Sequence, residues 1–159
     1  MKAEERILRL MMEKSLKLSL AESCTGGLIA SRITDIAGSS EYFDAGIVTY
    51  SNAAKTRFLG VPEELLIRQG AVSRETAESM AEGVRRAMGS HVGLSVTGIA
   101  GPGGGSDLKP VGTVYIGLSW QDGAVVKGFR FEGDRKEIRQ QASDAALQMV
   151  IDHLEGWSV

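Results

Sequence analysis

The sequence predicts a three-layer α/β/α domain built on a mixed, mostly parallel sheet of about five strands. Two observations predict this fold. Short apolar stretches with the spacing of strands alternate with longer stretches in which apolar residues recur at helical spacing. The alternation then gives way to two strand-like stretches joined by Gln121-Asp122-Gly123, a hairpin signal that adds antiparallel strands to a parallel sheet.

The first predicted element is an amphipathic helix, because Ile7 and Leu10 fall on one apolar face. It leads into a strand at about 17–22, where apolar and polar residues alternate. The next helix covers about 26–37, since apolar residues recur there every three or four positions. Gly38 is expected to end that helix.

A run rich in β-forming residues at 45–50 predicts the second strand. Asn52 is expected to cap a short helix over 53–59, and Pro62 to take the first position of the helix that follows. Ser73 is the expected cap of a longer helix. The apolar face of that longer helix is predicted to contain Ala77, Met80, Ala81, Val84, Ala87 and Met88.

The third strand is predicted at 92–97, and a glycine-rich loop at 98–106 follows it. Strands at 111–120 and 124–132 form the predicted hairpin. Asp134 is expected to cap the closing helix. The residues of this helix predicted to face inward are Ile138, Ala142, Ala145, Met149 and Val150.

Composition limits the classes of function. The 159 residues are 43% hydrophobic, which predicts a single domain over 1–159 with a sizeable core. A formal net charge of −2, with no run of like charges, argues against binding to nucleic acid or to an anionic membrane. The charged amino end is unlike a signal peptide, and no apolar stretch is long enough to cross a bilayer.

The chain has few cysteine and histidine residues to bind metal ions or form disulfides. One cysteine precludes an internal disulfide, which is typical of a reducing cytoplasm. The two histidines lie far apart and lack spaced cysteine or carboxylate partners. We therefore expect no metal ion, and no other cofactor is indicated.

Hydroxyls and a thiol lie where the first strand turns into a helix, in the stretch 21–27. Its two glycines allow close approach to unpaired N–H groups at the positive end of the helix dipole. Such a place binds a phosphate or carboxylate, or stabilises an oxyanion. The alternative is that Ser23 and Thr25 merely cap the helix. Cys24 is a rival nucleophile, but it has no evident histidine partner, and Ser23 is preferred.

Lys55 falls in the first turn of the short helix, where a cation meets the positive end of the dipole. One interpretation is a solvated lysine. The other is that the dipole and partial burial lower the pKa of the amine and supply a neutral base at pH 7. Tyr50, at the preceding strand end, is a candidate to relay a proton or to donate to an oxyanion, and a half-buried sheet tyrosine is its alternative.

Ser23, Tyr50 and Thr97 each lie at or just past the end of a predicted strand. Ligand crevices in open α/β sheets lie beyond such ends, so the three residues are expected to converge if the strands are parallel neighbours. The glycine-rich loop adds backbone N–H groups there but lacks the ending of a P-loop. Arg135 and Arg139 share a helix face, so either could clamp a phosphate.

Six motifs, taken in order, resemble one known family. They are AESCTGG at 21–27, DIAGSS at 35–40, VTYSN at 48–52, GAVS at 70–73, TGIAGP at 97–102 and KPVGTV at 109–114. The set is similar to the C-terminal domain of competence-damage-inducible CinA proteins. The resemblance covers nearly the whole chain. Longer family members carry an amino-terminal nucleotide-pyrophosphatase domain, which residues 1–159 are not expected to encode.

The resemblance implies a cytoplasmic, homodimeric, bacterial-type amidase. Its reaction would convert nicotinamide mononucleotide to nicotinate mononucleotide and ammonia, a salvage step of the pyridine nucleotide cycle. The family's serine, tyrosine and lysine fall on Ser23, Tyr50 and Lys55, the expected catalytic residues. The expected substrate-binding residues are Cys24, Thr25, Gly26, Gly27, Thr97, Gly98, Gly101, Gly104 and Arg139.

Two functions remain open from the sequence. In the first, a metal-independent amidase, Ser23 attacks the carboxamide carbon while Lys55, directly or through Tyr50, takes its proton and later protonates the departing ammonia. Attack by water that Lys55 activates is a variant of this mechanism. The second function is a non-catalytic nucleotide-binding module that regulates a partner in competence or DNA repair. The sequence does not decide which backbone N–H groups hold the oxyanion and which the phosphate.

Overall fold

The computed structural model describes residues 1–157 and contains one five-stranded sheet with helices packed against both faces. The helices are α1 (Ala3–Lys14), α2 (Leu28–Thr34), α3 (Asn52–Leu59), α4 (Glu63–Gln69), α5 (Arg74–Met88) and α6 (Arg135–Glu155). The strands are β1 (Leu18–Glu22), β2 (Phe43–Val48), β3 (Val92–Gly98), β4 (Thr113–Trp120) and β5 (Gly123–Arg130). A short 3₁₀ helix, Ser39–Glu41, precedes β2.

The strand order across the sheet is β2-β1-β3-β4-β5. β1 pairs in parallel with both β2 and β3, whereas β4 runs antiparallel to its neighbours β3 and β5. Four strands therefore point the same way and β4 alone is reversed. The predicted three-layer fold with a mixed, mostly parallel sheet is confirmed.

Two apolar clusters fill the space on either side of the sheet. The larger one joins the strands to α1, α2 and α6, and includes Ile7, Ile33 and Leu147. The smaller one packs α3, α4 and α5 together, and contains Ala21, Leu59, Val61, Leu66, Met80 and Val84. Because helices cover both faces, all five residues of β1 are buried, as expected for an inner strand of a parallel sheet.

Most elements lie where the sequence predicts them, and several ends differ. The cap of α3 is Ser51, whose Oγ accepts from the Ala54 N–H at 3.0 Å, so the assignment of Asn52 as the cap is wrong by one position. Pro62 caps α4 instead of opening it. Ser73 and Asp134 are the caps of α5 and α6, as predicted.

Helix α2 is shorter than the predicted 26–37 at both ends. Gly26 and Gly27 have φ values of +59° and +102°, left-handed conformations that a helix cannot include, and α2 therefore begins at the residue after them. The apolar face of α5 is also shorter than predicted. Its buried apolar residues lie between Ala77 and Val84, whereas Ala87 and Met88 are exposed in the last turn.

Helix α3 is held close to α5 at Gly83. A Cβ atom at this position would overlap the Leu59 carbonyl at the end of α3. The absence of a side chain therefore sets how closely the two helices approach. This packing matters for the site, because Lys55 lies on the same buried face of α3 as Leu59.

We predict that Gly83→Ala destabilises the protein by about 1–3 kcal/mol, because the added methyl group must push α3 away from α5. A loss of stability would be informative, because alanine is favoured over glycine in a free helix by about 1 kcal/mol. Urea unfolding measures the change. Gly103→Ala is the control, because its Cβ would meet open space, and it should change stability by less than about 0.5 kcal/mol. A Gly83→Ala variant at least as stable as the wild type would contradict the packing argument.

Candidate active site

The turn between β1 and α2 presents Ser23 at the end of a buried strand. We call residues 23–27 the Ser23 turn. The Ser23 N–H donates to the Val96 carbonyl of β3 at 3.0 Å, which fastens the start of the turn to the sheet. Within the turn, the Gly26 N–H donates to the Ser23 carbonyl at 3.0 Å. The left-handed glycines then redirect the chain into α2.

Glu22 caps α2, and neither hydroxyl of the Ser23 turn does so. The two carboxylate oxygens of Glu22 accept from the N–H groups of Ile29 and Ala30, each at 3.0 Å. The interpretation of Ser23 and Thr25 as caps is therefore wrong. Sequence reasoning missed Glu22 because it lies seven residues before its partner Ile29 and reaches it only after the chain reverses.

Ser23 and Lys55 are in direct contact, although 32 positions separate them. The Lys55 Nζ donates to the Ser23 Oγ at 2.9 Å. The Lys55 side chain is 1% exposed and Ser23 is 7% exposed, so the interpretation of Lys55 as a solvated lysine is wrong. A hydroxyl and an amine therefore meet at the edge of the sheet where β1 and β2 end.

Neutral acceptors surround the Lys55 amine. Besides Ser23 it donates to the carbonyls of Thr49 and Tyr50, at 2.9 Å and 3.4 Å. Among residues 1–157, no carboxylate forms an ion pair with it. Burial lowers the pKa of Lys55, and the nearby Cys24 acts in the opposite direction. The lowered pKa agrees in direction with the second interpretation of this lysine, and burial is its main cause.

Tyr50 lies beside this pair with its ring 58% exposed. Its hydroxyl accepts from the Arg135 Nη2 at 2.7 Å, and only its backbone carbonyl contacts Lys55. The contact between Lys55 and Ser23 is direct, so the Tyr50 hydroxyl does not lie between them as a relay would require.

The first turns of α6 fasten the loops around the site. Arg139 donates through Nε to the Cys24 carbonyl at 3.0 Å and through Nη2 to the Thr25 carbonyl at 2.8 Å. One turn earlier, Arg135 donates through Nη1 to the Gly101 carbonyl at 2.8 Å. The helix thereby connects the Ser23 turn, the glycine-rich loop (98–106) and the Tyr50 hydroxyl.

Cys24 is a packing residue. It is 5% exposed, and burial raises the pKa of its thiol to about 11, so it is protonated at neutral pH and is a poor nucleophile. Gly98 makes room for it, because a Cβ there would lie 3.2 Å from the Cys24 Sγ and 2.7 Å from a methyl group of Val114. Cys24 and Gly98 therefore let the end of β3 approach the Ser23 turn.

The remaining predicted site residues lie around the glycine-rich loop. The Thr97 Oγ1 donates to the Ala71 carbonyl at 2.8 Å, which ties β3 to the segment before α5. Gly101 and Gly104 have φ values of +81° and +89°, and the Gly101 carbonyl is the one that Arg135 holds. A Cβ atom at Gly104 would meet the side chain of Ile99, and no described contact brings Gly104 to Ser23 or Lys55.

Across residues 1–157, no group of three or more His, Cys, Asp and Glu side chains is placed to hold a metal ion. No helix in the same range has the length and apolar character needed to span a membrane.

Comparison with known proteins gives consistent matches. A family model described as the CinA C-terminal domain matches residues 1–154. A CinA-like protein of Geobacter sulfurreducens is 59% identical over 141 residues, which cover 89% of this chain and 34% of that protein. The chain thus spans about a third of the length of this relative.

Solved structures agree with the sequence matches. The competence/damage inducible protein CihA from Agrobacterium tumefaciens is 45% identical, with a TM-score of 0.93 over 96% of this chain and 93% of that one. The competence damage-inducible protein A from Klebsiella pneumoniae is 31% identical, with a TM-score of 0.95 over 98% and 97% of the two chains. The chain belongs to the CinA C-terminal domain family.

Proposed function

We propose that this domain hydrolyses the carboxamide of nicotinamide mononucleotide, releasing nicotinate mononucleotide and ammonia. The observation that carries the proposal is the 2.9 Å contact between the Ser23 hydroxyl and a buried lysine amine without a carboxylate partner among residues 1–157. A serine beside a lysine of lowered pKa can act as a nucleophile with its base, an arrangement suited to acyl transfer. The substrate follows from the motif resemblance.

Burial lowers the pKa of Lys55, and the hydrogen-bond partners of the amine orient its neutral form as a base. A neutral amine has two hydrogens and one lone pair. With its two hydrogens donated to the carbonyls of Thr49 and Tyr50, its lone pair faces the Ser23 hydroxyl. In this state the hydroxyl donates to the amine, reversing the direction of the hydrogen bond that the ammonium form makes.

The reaction proceeds in two acyl-transfer steps. Ser23 Oγ bonds to the carboxamide carbon as its proton moves to Lys55 Nζ, and a tetrahedral oxyanion forms. Collapse of this intermediate breaks the carbon–nitrogen bond, and Lys55 returns the proton to the departing ammonia. A water molecule then attacks the ester on Ser23 as its proton moves to Lys55 Nζ. Collapse of the second tetrahedral intermediate breaks the bond to Ser23 Oγ, Lys55 returns the proton to that oxygen, and nicotinate mononucleotide leaves.

The Ser23 turn supplies the oxyanion donors in this mechanism. Within residues 1–157, the N–H groups of Cys24, Thr25 and Gly27 donate to no acceptor. The Cys24 carbonyl and the Thr25 N–H belong to one planar peptide and point in opposite directions, so Arg139 fixes the N–H by holding the carbonyl. Pre-oriented donors of this kind are worth about a hundredfold or more in turnover.

Tyr50 has a separate role in the proposal. Its hydroxyl accepts a hydrogen bond from Arg135 and so keeps its own proton available. We assign that proton to an acceptor on the bound substrate. The cytoplasmic location and the homodimer that the motif resemblance implies remain predictions.

Ser23→Ala and Lys55→Met are each expected to lower ammonia release from nicotinamide mononucleotide by about a thousandfold or more, since nucleophile and base act as one unit. The assay includes a chelator, and circular dichroism checks that each variant is folded. Ser31→Ala and Lys127→Met are matched controls at exposed positions and should retain wild-type rates.

Near-normal rates in both site variants would contradict the mechanism. Calorimetry with the mononucleotide separates the alternative function. A wild-type protein that binds the mononucleotide and releases no ammonia would be a non-catalytic nucleotide-binding module.

The pH dependence gives a second test. Lys55 acts as a base only when neutral, so kcat/KM should rise with pH through an apparent pKa below the ordinary lysine value of 10.5. Rates should be measured between pH 7 and 10, because a phosphate monoester has its second pKa near 6 and is almost fully ionised above pH 7. A profile that falls across this range would exclude Lys55 as the base.

A further inference from the structure

Arg135 is an exposed cation at the outer end of the candidate site. Its guanidinium donates to the Tyr50 hydroxyl at 2.7 Å and to the Gly101 carbonyl at 2.8 Å. A guanidinium has five N–H donors, so three remain for a ligand. These two contacts hold the group where the Tyr50 segment and the glycine-rich loop meet.

The charge of Arg135 is not compensated within residues 1–157, where it forms no ion pair. The two carboxylates of the same turn belong to Asp134 and Glu137, and each is used in the capping box of α6. Asp134 Oδ1 accepts from the Glu137 N–H at 2.8 Å, and Glu137 Oε1 accepts from the Asp134 N–H at 3.1 Å. An anion approaching Arg135 therefore meets a cation with spare donors.

Arg139 differs from Arg135 in exposure and in its partners. It is half-buried, and it holds two backbone carbonyls of the Ser23 turn. The two arginines share one face of α6, a single turn apart, with Arg139 at the serine and Arg135 farther out. The sequence leaves open which of the two arginines binds a phosphate, and their different exposure and partners favour Arg135.

We propose that Arg135 binds the phosphate of the substrate and selects a phosphate monoester over the corresponding phosphate-free nucleoside. This inference rests on the proposed function. In the mononucleotide, the pyridine ring and the ribose separate the phosphate from the carboxamide. With the carboxamide at Ser23, we place the phosphate at Arg135, which is linked to the serine through Lys55 and Tyr50.

The chemistry of the two groups matches. A guanidinium binds phosphate oxygens through paired N–H donors, which a lysine amine cannot reproduce. Nearby, the N–H groups of Gly103 and Gly104 donate to no acceptor among residues 1–157 and are available as additional phosphate donors. The Gly101 contact of Arg135 keeps the loop that carries them beside the guanidinium.

The test compares ammonia release from nicotinamide mononucleotide and from nicotinamide riboside, which lacks the phosphate. The quantity measured is the ratio of kcat/KM for the two substrates. Arg135→Met should lower this ratio by about 10- to 100-fold, the size expected for the loss of a charge-assisted contact. Arg135→Lys should give an intermediate ratio, because it keeps the positive charge and loses the paired N–H donors of the guanidinium.

Lys136→Met is the control, since it removes the adjacent exposed cation of the same helix turn and should preserve the wild-type ratio. If Arg135→Met slows both substrates equally, Arg135 only positions Tyr50 and the loop, and the proposal is overturned. An unchanged ratio with unchanged rates overturns it as well.

A binding measurement separates this proposal from the proposed function. Calorimetry measures the affinity of wild type and Arg135→Met for nicotinamide mononucleotide and for the riboside. If the wild type releases no ammonia, hydrolysis fails as the function. A tenfold or larger loss of affinity confined to the mononucleotide still supports the phosphate contact, and an equal change for both ligands overturns it.

Discussion

The burial of the Lys55 side chain is the constraint on which the site depends. An amine removed from water loses the solvation that favours its charged form, and a partner carboxylate would restore that preference. Among residues 1–157, only two carbonyls and one hydroxyl accept from this amine. The packing that keeps water away from Lys55 therefore contributes to its lowered pKa. The close approach of α3 to α5 at Gly83 is part of this packing.

The positive end of α2 has a different role from the one its position suggests. A strand followed by a glycine turn and a helix predicts an anion site at the helix end. Here the Glu22 carboxylate occupies that end, so the first N–H groups of the helix are already used. The hydroxyls of the turn are released from capping, and Ser23 is free to meet Lys55. Any oxyanion donors must then come from the turn itself, whose backbone Arg139 holds.

Local signals predict local features well in this chain. The caps Ser73 and Asp134 follow from one polar residue before an apolar periodic stretch, and both are observed. The cap of α3 is missed by one position because Ser51 and Asn52 are both good cap residues, and the fold decides between them. Likewise, the apolar spacing of α5 includes Ala87 and Met88, yet both are exposed in its last turn.

By itself, the sequence determined the alternation of strands and helices, the resulting three-layer fold and the family. These depend on periodicity and on motifs that are contiguous along the chain. Only the tertiary structure decided that Lys55 is buried against Ser23, that Glu22 caps α2, and that the Tyr50 hydroxyl accepts a hydrogen bond from Arg135. Each of these contacts joins segments that lie far apart along the chain or that meet only because the chain reverses. Their distances are set by how the elements pack, which no local pattern encodes.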